Sequence, residues 1–252
     1  MAFHRYVALG DSFTEGVGDP DPSYPNGLRG WADRVAEVLA GETRDFRYAN
    51  LAIRGRKLPQ ILDEQLQPAL ALGPDLVSIH AGTNDLLRPR IDIDALWKRY
   101  DAAVGALRAT GATVVMFTVG DPGAGRLSAP MRGRWAIFNE FVREVADDHG
   151  AKVVDMWRWR GVPLGSILDV DRLHLNSHGH RLIAGMVLDR LDVRHDLAEA
   201  PLPEPPVLTR RDDLVWAKDW AVPWVHRRLT GRSSGDDVNP KRPGLAPISP
   251  AS

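Results

Sequence analysis

The stretch that decides the fold is residues 5–13, RYVALGDSF, in which an apolar run passes directly into Gly10, Asp11 and Ser12. A short apolar run that ends at turn-forming residues predicts a buried strand. A serine at such a strand-to-helix turn exposes its hydroxyl at the sheet edge, where neighbouring backbone N–H groups can face a developing anion. By itself the motif is weak, because Gly, Asp and Ser are also ordinary turn formers.

Four further apolar runs follow, and helical patterns separate them. The predicted strands are Arg5–Leu9, Arg47–Ile53, Leu76–His80, Thr113–Val119 and Lys152–Asp155. The predicted helices are Gly30–Leu39, Leu58–Leu70, Ile93–Leu107, Trp135–His149 and Ser177–Leu191. This alternation predicts an α/β fold with a parallel sheet covered on both faces. Ligands bind outside the carboxyl ends of such strands. One crevice should therefore gather the loops Gly10–Gly18, Arg54–Lys57, Gly82–Arg88 and Gly120–Gly125.

Three other short patterns can supply the partners that a nucleophilic serine needs. Asp171 and His174 lie three residues apart before the last helix, close enough on a turn for the carboxylate to orient the imidazole as a base. Asn84 follows the third strand and could donate an amide N–H to an oxyanion. Gly55 follows the second strand, where a missing side chain lets the backbone approach a substrate. Taken singly, each pattern is better explained by an ordinary loop.

Together and in this order, the patterns resemble the SGNH hydrolase family, also called GDSL esterases or lipases. The matching segments are Gly10-Asp11-Ser12-Phe13, Asn50 with Gly55, Gly82-Thr83-Asn84-Asp85 and Asp171-Arg172-Leu173-His174, within residues 3–191. The resemblance implies a flavodoxin-like three-layer α/β/α sandwich with a five-stranded parallel sheet. It also implies Ser12 as nucleophile, His174 as base and then acid, and Asp171 as its orienting carboxylate. The oxyanion hole would consist of the Ser12 and Gly55 backbone N–H groups and the Asn84 side chain.

The implied function is a serine esterase that hydrolyses a carboxylic ester of a small molecule, lipid or carbohydrate through an acyl-enzyme on Ser12. A thioesterase, an acyltransferase and a non-catalytic binding module of the same fold stay open as alternatives. We assign Asp11, Thr83 and Trp157 to substrate binding. Phe13 stands where the family name has leucine, a packing position behind the serine. No Gly-x-Ser-x-Gly elbow is present, which argues against the α/β-hydrolase class.

Other site classes find little support in the sequence. The glycines of Gly10–Gly18 fit neither a P-loop nor a dinucleotide fingerprint, and the acidic residues among them would repel phosphate. His178 and His180 are two apart on a predicted helix, so they would face different sides and form a solvated helix start rather than a metal site. We therefore expect no metal and no cofactor. The formal net charge is −1, so a nucleic-acid partner is not expected either.

The ends of the chain give predictions about organisation and location. Residues 1–195 form the predicted hydrolase domain, 196–211 a Pro-rich linker, 212–230 a helical appendage and 231–252 a disordered tail rich in Gly, Ser and Pro. The appendage carries Trp216, Trp220 and Trp224 at four-residue spacing, a stripe that would pack on the core, cover the site as a lid or join two subunits. With no signal-peptide pattern and no membrane-length apolar run, we expect a cytoplasmic protein.

Overall fold

The computed structural model describes residues 2–121, 123, 129–159, 161–197 and 201–250. The predicted loop Gly120–Gly125 therefore lies partly outside the described residues, and residues 198–200 of the predicted linker lie wholly outside them. Its central feature is one sheet with the strand order β5-β4-β3-β1-β2-β6. The strands are β1 (Arg5–Leu9), β2 (Arg47–Asn50), β3 (Leu76–Ile79), β4 (Thr113–Phe117), β5 (Lys152–Val154) and β6 (Arg242–Ala246). Strands β1 to β5 pair in parallel, as predicted.

The helices alternate with the strands along the chain. They are α1 (Ser12–Glu15), α2 (Gly30–Glu42), α3 (Leu58–Ala71), α4 (Thr83–Leu86), α5 (Ile93–Ala109), α6 (Ala129–His149), α7 (Leu164–Ile167), α8 (Ser177–Arg190), α9 (Arg210–Trp216) and α10 (Val222–Leu229). Single 3₁₀ turns occupy Pro25–Gly27 and Met156–Arg158, and a π-helical turn, Ala217–Ala221, joins α9 to α10. Among the described residues, no helix combines the length and the apolar composition needed to cross a membrane.

Strand β1 shows why the fold has three layers. Val7 and Leu9 point into one buried cluster, which helices α3, α5 and α6 cover, whereas Tyr6 and Ala8 point into a second cluster under α2 and α8. Successive side chains of a strand point to opposite faces, so an apolar run without polar interruption buries both faces of the sheet. The predicted three-layer α/β/α sandwich is therefore confirmed.

The predicted strands begin where the structure begins them, and β1 also ends as predicted, but the other four predictions end one to three residues too late. Strand β2 shows the reason. The apolar run continues to Ile53, yet the strand ends at Asn50, whose side-chain oxygen accepts the Ala52 N–H at 3.1 Å. A side chain that takes a backbone donor competes with the ladder and turns the chain out of the sheet. Residues 51–53 thus stay buried without belonging to the strand.

The sheet has six strands rather than the predicted five, because the segment expected to be a disordered tail contains β6. This strand pairs antiparallel with β2 at the sheet edge. Just before it, the buried Lys241 ammonium forms an ion pair with Asp33 of α2 and donates to the carbonyls of Leu28 and Arg29 at 3.1 and 2.8 Å. Composition alone favours disorder here, but a fully paired buried cation fixes the strand in place.

The segment expected to form a helical appendage is helical from Arg210 to Leu229, with a π-helical turn that ends two residues before Pro223. Proline has no N–H to donate into the preceding turn, and a π-bulge is one way for a helix to accommodate that loss. The division of the chain into domain, linker and appendage stays a prediction.

Candidate active site

The candidate nucleophile lies where β1 ends and α1 begins. Gly10 has φ +152°, and a side chain there would lie 2.8 Å from the His80 carbonyl oxygen, so only glycine fits. The buried Gln65 amide accepts from the Gly10 N–H at 2.8 Å and donates to the Gly10 carbonyl at 2.9 Å. Ser12 is the first residue of α1, with Asp11 as its N-cap. Gly10 is thus held through both its N–H and its carbonyl, two residues before the serine.

The sequence-predicted acid–base residues meet this serine. His174 Nε2 lies 3.0 Å from Ser12 Oγ, and His174 Nδ1 lies 2.5 Å from Asp171 Oδ2. An ionised carboxylate only accepts hydrogen bonds, so the imidazole proton belongs on Nδ1, and Nε2 is left to accept the serine hydroxyl. The three residues form one continuous chain of hydrogen bonds, with the polarity that a general base requires.

Asp171 is held as a carboxylate by its own loop. Its Oδ1 accepts the backbone N–H groups of Leu173 and His174, each at 2.9 Å. Burial would by itself raise the pKa of Asp171, but the His174 hydrogen bond and charge, with the two backbone donors, hold that pKa below the ordinary 3.8. The group is therefore negative at neutral pH and can stabilise an imidazolium on His174.

Two backbone donors at the predicted oxyanion hole are free of protein acceptors. Within the described part of the chain, neither the Ser12 N–H nor the Gly55 N–H donates a hydrogen bond. Gly55 has φ +77°, and a side chain at this position would collide with the hydroxyl of Ser233. Unsatisfied backbone N–H groups beside a nucleophile are what an oxyanion needs.

The Asn84 amide is placed differently from the two backbone donors. Its Nδ2 donates to Asp11 Oδ2 and to the Arg56 carbonyl, both at 3.0 Å. Both amide hydrogens are thus already engaged, and Asn84 connects the loops that follow β1, β2 and β3. It can serve an oxyanion by sharing one of these hydrogens in a three-centre bond.

The loop after β2 is supported by two buried acidic residues to which the sequence analysis assigned no role. Glu15 is fully buried, and its carboxylate accepts the Arg54 N–H at 2.8 Å and the Arg54 guanidinium at 2.6 Å. Asp85 accepts the Leu58 N–H at the start of α3 at 2.8 Å. Burial raises the pKa of Asp85 to about 6 despite that hydrogen bond. The available sequence signal was an acidic residue just after the first motif and another at the end of the motif that contains Asn84.

The C-terminal segment also reaches this loop, which composition gave no reason to expect. Ser233 packs on Gly55, and Gly235 lies so close to the Arg54 carbonyl that an added side chain would collide with it. The Arg56 guanidinium lies 3.9 Å from the Asp236 carboxylate. Residues 233–236 therefore pack against the loop that carries Gly55.

Asp11 and Asn50 are buried around the nucleophile turn, whereas Thr83 is half-buried. Asp11 is 2% exposed, and its carboxylate accepts the Phe13 N–H and the Asn84 amide, so it holds the nucleophile turn. The Thr83 hydroxyl lies 3.3 Å from His80 Nε2. Asn50 is fully buried and donates to the Thr14 carbonyl at 2.9 Å, which supports the same turn. The assignment of Asp11 and Thr83 to substrate binding stays a prediction.

The third residue assigned to substrate binding keeps that assignment as a prediction. Trp157 is half-buried at the 3₁₀ turn after β5, and the Arg132 guanidinium lies 6.0 Å from the centre of its ring. Phe13, in contrast, packs as expected: its ring lies 4.3 Å from His80 and 5.5 Å from Trp31. The aromatic side chain thus fills the space behind the serine.

His180 was predicted to lie at a solvated helix start, but it lies in the core. It is fully buried, donates from Nε2 to the Val17 carbonyl at 3.1 Å and accepts the Trp31 N–H on Nδ1 at 3.2 Å. Burial lowers the pKa of His180 to about 4, so the ring is neutral and ties α8 to the turn after α1. The residues described contain no group of three or more metal-ligating side chains.

Comparison with solved structures places this geometry in a known architecture. An acetylxylan esterase from Geobacillus stearothermophilus superposes with a TM-score of 0.64 at 20% identity, covering 76% of this chain and 96% of that one. A lipase/acylhydrolase from Enterococcus faecalis gives 0.60 at 20%, covering 80% and 99%. An α/β hydrolase enzyme from the metagenome of Lake Arreo, Spain, gives 0.63 at 23%, covering 75% and 95%. At these identities the likeness shows the fold.

Sequence comparison identifies the family directly. No curated protein matches this chain. A model of the GDSL-like lipase/acylhydrolase family, in contrast, matches residues 8–182. That span runs from β1 into α8 and includes Ser12, Asn84, Asp171 and His174. The chain therefore belongs to the GDSL-like lipase/acylhydrolase family, as its four spaced motifs predicted.

Proposed function

We propose that this hydrolase is a serine esterase that cleaves carboxylic esters through an acyl-enzyme on Ser12. The observation that carries the proposal is the continuous hydrogen-bonded chain from Asp171 through His174 to Ser12 Oγ, at 2.5 and 3.0 Å. Within the described residues, the N–H groups of Ser12 and Gly55 make no hydrogen bond, which supports their assignment to the oxyanion site. A nucleophile, a base with an oriented tautomer and an oxyanion site are together sufficient for acyl transfer.

In the first half-reaction Ser12 Oγ attacks the ester carbonyl carbon, and its proton passes to His174 Nε2. The carbonyl oxygen becomes an oxyanion, stabilised by the Ser12 and Gly55 N–H groups and by a shared Asn84 hydrogen. Asp171 stabilises the imidazolium without taking its proton. When the C–O bond breaks, His174 gives the proton to the leaving alkoxide, and the alcohol departs.

In the second half-reaction water attacks the Ser12 acyl ester while His174 Nε2 takes its proton. Collapse of the new tetrahedral intermediate returns that proton to Ser12 Oγ and releases the acid. The same acyl-enzyme would serve a thioesterase or an acyltransferase. Because the Geobacillus neighbour is an acetylxylan esterase, acetyl esters of carbohydrates are the first natural class to assay. A cytoplasmic location and a homo-oligomer stay predictions.

The direct test compares wild type with Ser12→Ala on p-nitrophenyl esters of increasing acyl length, alongside labelling by a fluorophosphonate probe. We expect Ser12→Ala to lose the label and about 10⁶-fold of kcat. The chain-length profile of the wild type would measure the acyl pocket. A wild type that neither hydrolyses any ester nor takes the label would overturn the proposal in favour of a binding module.

Asn84→Ala provides the graded test of the oxyanion hole. Removal of one oxyanion donor lowers kcat by about 10²–10³. Thr83→Ala is the matched control, because it truncates the neighbouring side chain in the same motif without removing that donor. If Asn84→Ala and Thr83→Ala reduced kcat equally, Asn84 would be only a structural connection between the loops.

A further inference from the structure

The C-terminal helices make a direct hydrogen bond to the loop that carries the base. The Trp216 indole Nε1–H donates to the backbone carbonyl of Asp171 at 2.8 Å, across 45 residues of sequence. Trp216 is half-buried at the end of α9. We propose that Trp216 is a positioning residue for the acid–base pair, acting from outside the segment that matches the family through the main chain of Asp171. This inference rests on the proposed esterase function.

A second contact fixes the same loop to the same helix. The Arg172 guanidinium lies 5.2 Å from the centre of the Trp216 ring, in cation–π geometry, and Arg172 Nη1 donates to Asp213 Oδ1 at 2.7 Å. Arg172 itself has φ +57°, a left-handed conformation that non-glycine residues rarely adopt. The contacts from α9 therefore fall on the residue whose backbone is least favourable on its own.

Among the described residues, the outer side of this loop has few other contacts. Within the loop, the Arg172 N–H donates to the Asp169 carbonyl at 2.9 Å, and the Asp169 N–H donates to the His174 carbonyl at 2.8 Å. Its apolar side chains do not anchor it, because Val170 is 70% and Leu173 48% exposed. Within the described residues, the Trp216 hydrogen bond, together with the Arg172 contacts, therefore ties Asp171 to α9 on that side.

The geometry of Asp171 explains how a contact to its carbonyl can affect the reaction. The carbonyl accepts Trp216, while the carboxylate of the same residue accepts His174 Nδ1 at 2.5 Å. A displacement of the main chain therefore moves the carboxylate and, through it, the imidazole that faces Ser12. Misplacement of a catalytic group by about 1 Å can cost 10²-fold in rate. A positioning defect of this kind lowers kcat and leaves substrate binding unchanged.

Trp216→Phe is the sharpest test, because it keeps an aromatic ring for Arg172 and removes the N–H donor. We expect kcat for p-nitrophenyl acetate to fall about tenfold with KM within about twofold, and Trp216→Ala to fall further. Trp220→Phe is the matched control: it lies one turn along the same helical segment, is 42% exposed and should keep wild-type constants. Asp213→Ala provides a second variant that weakens the Arg172 contact alone, with a smaller fall in kcat.

The outcomes separate this inference from the proposed function. If wild type is active and Ser12→Ala is inactive, but Trp216→Phe retains wild-type kcat, the positioning role is wrong and the esterase stands. A rise in KM without a fall in kcat would instead make Trp216 a substrate contact and overturn the inference. An equal fall in Trp220→Phe would do the same. Inactive wild type would remove the proposed function itself. Urea unfolding of each variant identifies those that are unfolded.

Discussion

The two sides of the candidate site are held by different parts of the molecule. On the nucleophile side, the turn before Ser12 is fixed by the buried Gln65 amide, and the following helix by the fully buried Glu15. Gln65 belongs to helix α3, inside the three-layer core, and Glu15 belongs to helix α1. Both residues lie in the segment that matches the family.

On the base side, Asp171 and His174 lie in a half-buried loop after α7. Local turns hold that loop, and α9 adds the Trp216 hydrogen bond from outside the segment that matches the family. Loops are less protected than core elements and are where function is commonly located. This difference predicts that substitutions behind Ser12 lower the free energy of unfolding, whereas substitutions around His174 lower kcat and leave the fold intact.

Asp171→Asn should give the largest effect of the changes that break this comparison. Asparagine can offer its amide to the ring and stabilise the wrong tautomer, and it cannot stabilise the imidazolium. We expect kcat to fall about 10⁴-fold, with the urea midpoint close to that of wild type. Steady-state kinetics on p-nitrophenyl acetate and urea unfolding measure the two quantities.

Asp169→Asn is the control for that change, since it neutralises another aspartate of the same loop that does not contact His174 through its side chain. We expect kcat near wild type. A loss in Asp171→Asn of less than tenfold, or one matched by Asp169→Asn, would mean that Asp171 does not orient the base. The base side would then have to be assigned to another carboxylate.

Gln65→Leu tests the nucleophile side, where we expect a loss of stability. The side chain is 2% exposed, and its removal leaves the Gly10 N–H without an acceptor and the Gly10 carbonyl with only the longer bond from the Ile53 N–H, at 3.3 Å. An unsatisfied buried group costs about 1–3 kcal/mol, so the free energy of unfolding should fall by about 2 kcal/mol. Linear extrapolation of urea unfolding curves gives this value.

Gln67→Leu is the matched control, because it makes the same substitution at an exposed position of the same helix. Its free energy of unfolding should change by no more than about 0.5 kcal/mol. Equal stability of the Gln65 and Gln67 variants would show that the Gly10 turn does not depend on the amide, and the contrast between the two sides of the site would disappear.

The sequence was informative where local chemistry and core packing agree. The β1 run fixed both the strand and the position of Ser12, and the spacing of Asp171 and His174 was enough to predict that they meet. Apolar runs predicted five strands because burial on both faces leaves no polar interruption. Strand ends were less predictable, since a side chain such as Asn50 can take a ladder donor for itself.

What the sequence did not reveal depends on contacts between distant segments. Lys241 lies in a stretch whose composition favours disorder, and only its distant partner Asp33 explains why β6 forms. His180 was expected in solvent because local spacing gives no information about the helix α2 that covers it. Trp216 was predicted to pack on one helical face, but its bond to Asp171 connects residues 45 positions apart. Long-range polar contacts leave no periodic signal.

Asp85→Asn gives the smallest expected effect, and it sharpens the comparison by adding a pH dependence to the stability of the nucleophile side. Burial raises the pKa of Asp85 in the folded protein to about 6 from 3.8. The folded state therefore holds this proton more tightly than the unfolded state. The stabilisation of the folded protein by the proton on Asp85 is fully present below about pH 3.8 and is lost as the pH rises through about 6. Asparagine stays neutral, and its side-chain oxygen can still accept the Leu58 N–H.

Between pH 4 and pH 7, the free energy of unfolding of wild type should fall relative to that of Asp85→Asn. The difference between a pKa of 3.8 and one of about 6 sets an upper bound of about 3 kcal/mol for this fall, and relaxation around a buried charge reduces it to about 1 kcal/mol. Taking the difference between the two proteins cancels the titration of every other group. Asp94→Asn, on the exposed first turn of α5, should show a constant difference across the same range. A wild type that instead gained stability over Asp85→Asn as the pH rose would mean that the Leu58 N–H stabilises the Asp85 carboxylate more than burial penalises it.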